Sequence, residues 1–73
     1  MKTYITFGQT HVHEINGKLF DKDCVAVIEV SNPSEGRARA FQAFGPVFCM
    51  EYFEEEWSDS WMRNYPRGYI NLD

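Results

Sequence analysis

The spacing of apolar and polar residues changes several times along the 73 positions, and each change marks an element. Lys2 to Phe7 alternates and is rich in β-formers, which predicts a strand. Gly8-Gln9 interrupts it as a bulge or tight bend, and His11 to Ile15 resumes the extended pattern. Asn16-Gly17 predicts a two-residue hairpin turn, because both central positions of a type I′ turn need positive φ, and Lys18 to Phe20 returns from it. After a second turn at Asp21-Lys22-Asp23, the near-continuous apolar run Cys24 to Val30 predicts a central strand with little exposed face.

The rhythm then becomes helical. Asn32 suits an N-cap, Pro33 the first helical position, and Glu35 stands where a capping-box carboxylate reaches back. Gly45 and Pro46 end the run, leaving a helix over about 33–44. Its inward stripe is expected to be Arg37, Phe41 and Phe44, with Ala40 beside them. Arg37 then either snorkels past the sheet edge or pairs with a strand carboxylate such as Glu29 or Glu51. Val47 to Phe53 reads as a further strand, parallel to Val25–Val30 after the helical return. Glu54 to Met62 fits either a loop or one or two helical turns pairing Trp57 with Trp61. Pro66-Arg67-Gly68 is a turn, and Tyr69 to Leu72 offers a short last strand. The expected fold is α+β: a two-layer sandwich with one helix on a mostly antiparallel sheet of four or five short strands, in a single domain over 1–73.

Charge divides the chain unevenly. Lys2, Lys18, Lys22, Arg37 and Arg39 balance Glu14, Asp21, Asp23, Glu29 and Glu35, so the net charge of −4 falls wholly after Met50. There Glu51, Glu54, Glu55, Glu56, Asp59 and Asp73 face only Arg63 and Arg67. The same stretch holds Tyr52, Phe53, Trp57, Trp61, Tyr65 and Tyr69, half of the twelve rings (two Trp, four Tyr, six Phe). A charge run is usually a solvated face. Large rings set among carboxylates also have the composition of an interface anchor with an electrostatic rim, suited to a basic partner. Glu54, Glu55, Glu56, Trp57, Asp59 and Trp61 are therefore the candidate partner-binding residues. The acidic balance argues against direct nucleic-acid binding, which needs a basic stripe.

Chemistry has fewer candidates. His11 and His13, two apart, would share one face of a strand, and with Cys24 and Cys49 they form a set that zinc accepts. Neither cysteine has a close partner in sequence, so no metal and no cofactor is expected, with His11 and His13 kept as an alternative metal-binding or catalytic pair. Thr10 and Glu14 are placed to orient the imidazoles, and no second histidine motif exists to complete an acid–base pair. Both cysteines lie in apolar runs and are expected to be buried thiols, with a Cys24–Cys49 bridge open if their strands are neighbours. No stretch approaches the roughly 20 apolar residues of a membrane span, and the N-terminus lacks a signal-peptide pattern, so a cytoplasmic setting is expected.

The segments Thr6-Phe-Gly-Gln-Thr-His-Val-His13, Phe20-Asp-Lys-Asp-Cys24, Gly36-Arg-Ala-Arg-Ala-Phe41 with Phe44-Gly-Pro46, and Tyr65-Pro-Arg-Gly68 resemble a group of small bacteriophage-encoded accessory proteins. The resemblance spans nearly the whole chain and transfers no site residue. It implies a short acidic protein made in an infected bacterial cytoplasm, of the kind that inhibits host defence, as anti-CRISPR and anti-restriction proteins do. The expected partner is a host protein, plausibly a nucleic-acid-handling defence complex whose basic surface is blocked. A self-associating domain, with the exposed rings as a homodimer seam, is the remaining alternative.

Overall fold

The computed structural model describes residues 1–73. Six strands, one α-helix and two 3₁₀ turns follow the order β1 (Lys2–Thr6), β2 (His13–Ile15), β3 (Lys18–Phe20), β4 (Cys24–Glu29), α1 (Pro33–Phe44), β5 (Met50–Phe53), 3₁₀ turns at Glu54–Glu56 and Asp59–Asn64, then β6 (Gly68–Asn71). Four strands form the main sheet in the order β5-β1-β4-β6, and β2-β3 is a separate hairpin. β1 runs antiparallel to both β4 and β5, whereas β6 lies parallel to β4. The fold is thus α+β, one helix on a mostly antiparallel sheet, as the pattern predicts.

The hairpin turn forms as its residues require, with φ of 53° at Asn16 and 79° at Gly17. β4 sits between two strands and is buried from Cys24 to Ile28, which accounts for its unbroken apolar run. Asn32 caps α1 by accepting the Glu35 N–H at 2.9 Å. Glu35 reaches back one residue further than a standard capping box, accepting the Ser31 N–H at 3.3 Å.

The inward stripe of α1 differs from the expected one. Gly36, Ala40 and Phe44 face the sheet, while Arg37 and Phe41 are exposed. Gly36 sets this rotation. A Cβ there would stand 3.1 Å from Thr3 Cβ, so only glycine lets the helix lie this close to the fully buried Thr3. Arg37 consequently forms no buried pair, and its guanidinium lies over the Phe41 ring at 5.2 Å. Thr3 Oγ1 donates to the Glu51 carboxylate in its place, and Glu29 lies 3.9 Å from the N-terminal amine.

The core on the helix side comprises Ile5, Phe7, Phe20, Cys24, Ala26, Ile28, Ala40 and Phe44 among others. Phe7, Phe20 and Phe44 meet edge-on or tilted at 5.0–5.9 Å, joining the hairpin to the end of the helix. Leu72 is buried against this core, and Arg39 holds Asp73 with both carboxylate oxygens, at 2.7 and 2.9 Å.

Candidate functional site

Side chains alternate across a strand, so Tyr4 of β1, Val25 of β4, Tyr52 of β5 and Tyr69 of β6 point away from the helix. β5 and β6 are the two edges of the sheet and run in the same direction. The chain joining them must therefore cross the sheet, and it crosses on this second face. The segment with no firm assignment from sequence becomes two 3₁₀ turns that lay their indoles on the tyrosines.

Trp57 stacks on Tyr4 with centroids 5.0 Å apart and planes 14° from parallel. Its Nε1–H donates to Tyr69 Oη at 2.8 Å, and that hydroxyl donates onward to the Asp59 carboxylate. Trp61 meets Trp57 edge-to-face at 5.0 Å and Tyr52 at 5.5 Å. Tyr65 completes the layer, 6.4 Å from Trp57. The result is a contiguous aromatic layer with carboxylates at its border.

The six candidates divide by role within this layer. Trp57 is half-buried and belongs to the fold. Asp59 is spent on Tyr69, and Glu56 accepts the Phe53 N–H at 3.0 Å. The Glu54 and Glu55 side chains are exposed and form no hydrogen bond or ion pair within the chain. Trp61 keeps 39% of its surface in solvent. The surface free to meet another molecule is therefore Trp61 with Glu54 and Glu55. Tyr4, which sequence reasoning missed, and Tyr52 and Tyr69, which it placed in the acidic aromatic stretch but outside the six candidates, carry the indoles; their strand parity, all on the face opposite Ile5 and Ala26, is the signal that could have found them.

The local field is negative. Partial burial raises the Tyr4 hydroxyl pKa above its ordinary 10.0, and Glu54, Asp59 and Glu29 push it further. Burial and the Asp59 carboxylate raise Tyr69 in the same way, against the opposing Trp57 N–H. Three carboxylates from separate elements thus bear on one phenol, which a cation would relieve.

The histidines do not assemble a site. His11 lies outside β2, and His13 packs its ring on Phe7 and Phe44 at 5.9 and 5.0 Å while its Nε2 meets Val47 O at 2.6 Å. No three His, Cys, Asp or Glu side chains come close enough together to hold a metal ion. The cysteines are unbridged, with β1 between β4 and the β5 end of the sheet. Cys24 is buried as expected, and burial pushes its thiol up. Cys49 is exposed, because it precedes an edge strand where no element covers it. Two shallow clefts, about 270 and 290 Å³, border Arg39–Asp73 and Lys2–Glu29, and neither has a histidine or cysteine in its wall.

Comparison with protein-family models, curated proteins and solved structures finds no match. No helix is long and apolar enough to cross a membrane.

Proposed function

We propose that the protein is a phage-derived inhibitor that binds a host protein of a nucleic-acid-handling defence complex and covers a basic surface on it. The observation that carries this reading is the half-open Trp61, held edge-to-face against Trp57 and Tyr52, with the Glu54 and Glu55 side chains unpaired. A preorganised indole loses little freedom on binding, so its remaining area goes into affinity, and free carboxylates nearby steer a cationic partner. Trp57, Glu56 and Asp59 act as its support, so the contact set is narrower than composition alone indicates.

The test is capture from bacterial lysate by the wild-type chain, by Trp61→Ala, and by a Glu54→Gln, Glu55→Gln double variant. The reading expects one basic, nucleic-acid-handling protein that duplex DNA displaces and that both variants lose. Arg37→Ala, on the other side of the sheet, keeps it. Equal capture by all four chains, or capture indifferent to salt and DNA, contradicts the reading.

A further inference from the structure

β5 has β1 on one side and nothing on the other. The Phe53 N–H donates to Glu56 and so does not enter the β1 ladder. Main-chain groups of alternate residues face alternate sides in an antiparallel pair, so Glu51 also directs its N–H and C=O outward. Exposed apolar side chains flank this open edge on both faces. Met50, 48% exposed, and Trp61 lie on the aromatic face. Phe41, 43% exposed, lies on the helix face, 5.3 Å from Phe48 just before the strand. An unpaired strand edge with apolar rows on both faces is what strand addition uses, the main chain supplying affinity and the flanking rows specificity.

We propose that the open edge of β5 accepts an extended segment of a partner protein whose residues alternate between apolar and basic. This rests on the reading above that the partner is basic, and it adds how that partner is held. Charge selects the occupant. Glu54 and Glu55 continue directly from the strand, so basic side chains on an added strand meet unpaired carboxylates. A second copy of this chain would bring its own acidic turn and its −4 charge to the same short edge, which opposes self-pairing. Glu56 already occupies one acceptor place, which a partner carbonyl would take over.

The probe is a blocked alternating lysine–valine peptide of strand length, with a glutamate–valine peptide and an N-methylated lysine–valine peptide as controls. Amide hydrogen exchange is read at Glu51 and Phe53. The lysine–valine peptide is expected to slow exchange at Glu51, and the N-methylated peptide to bind more weakly. Glu56→Ala removes the competing acceptor and should tighten binding on the order of three-fold, whereas Glu55→Ala, with the same loss of charge, should weaken it. Equal binding of the N-methylated or the glutamate–valine peptide overturns the proposal. So does weakening by both variants alike, or a peptide-free dimer through β5 in sedimentation. Binding that depends on Trp61 and Glu54 but leaves the Glu51 amide unprotected overturns strand addition and leaves the acidic aromatic docking surface standing. If the peptide does not bind while lysate capture persists, strand addition alone fails; if capture fails as well, both readings fail.

Discussion

Trp57 lies flat on Tyr4 at 5.0 Å and hands its indole N–H to Tyr69, so one residue ties the crossing segment to the centre and to one edge of the sheet. Its neighbour Trp61 only leans on that stack. The two tryptophans should therefore separate in mutagenesis. Trp57→Ala is expected to cost about 2–3 kcal/mol of folding stability by urea unfolding, somewhat below the value for a fully buried indole. Trp61→Ala should cost less than about 1 kcal/mol. A stability loss at Trp61 equal to that at Trp57 would show that both indoles are structural.

Gly36 fixes how close the helix comes to the sheet. Replacing it with alanine improves helix propensity by about 1 kcal/mol. The added methyl also meets Thr3 at 3.1 Å, and Thr3 is fully buried in a strand paired on both sides, so it cannot yield. Overpacking should win, giving a net loss of about 1 kcal/mol in thermal or denaturant unfolding. Thr3→Ser, which removes the facing methyl, should restore part of the loss in the double variant.

Asp21 joins the turn before β4 to the turn before β6. It accepts the Asp23 N–H and the Arg67 guanidinium, each at 3.0 Å. Partial burial pushes its pKa up, but those two hydrogen bonds and the Arg67 and Lys22 charges outweigh it and hold the carboxyl below its ordinary 3.8. A depressed folded value stabilises above the unfolded pKa and is lost as pH falls through the folded one. The stability gap between wild type and Asp21→Asn should thus be constant near neutrality and close below about pH 4. A gap that persists at the lowest pH would locate the contribution in packing.

Tyr4 and Tyr69 behave oppositely. Both are raised above 10.0, first by burial and then by carboxylates. A raised folded value stabilises fully below the unfolded pKa, and that contribution is lost as pH climbs through the folded value. Unfolding should therefore set in above pH 10.0, with phenolate absorbance appearing late. Asp59→Asn should bring both tyrosines to lower pH. An unchanged titration in that variant would contradict the Asp59–Tyr69 contact.

The elements with local signals were legible from sequence. Asn16-Gly17 needs positive φ wherever it sits, Asn32-Pro33 and Gly45-Pro46 bracket a helix by their own geometry, and β4 is apolar because it is central. What was not legible depends on long-range contact. Rotation of α1 turned on Gly36 meeting Thr3, 33 positions away, so a hydrophobic stripe through Arg37 and Phe41 misplaced the face. Burial of Cys49 was expected from its apolar neighbours, but an edge position left it open. In the candidate site, composition picked out the segment that crosses the sheet and could not divide it. Whether Trp57 or Trp61 folds inward depends on Tyr4 and Tyr69, which lie far away in the sequence.

A photo-crosslinking residue at the exposed position 60, beside an intact Trp61, in protein produced within infected bacteria, tests the docking surface most directly, with the same group at position 37 as the control. The account predicts one heavy adduct from position 60, with a basic nucleic-acid-handling protein, absent from position 37 and suppressed by added salt. Adducts identical at the two positions, an adduct only with a second copy of this chain, or none at all would contradict it.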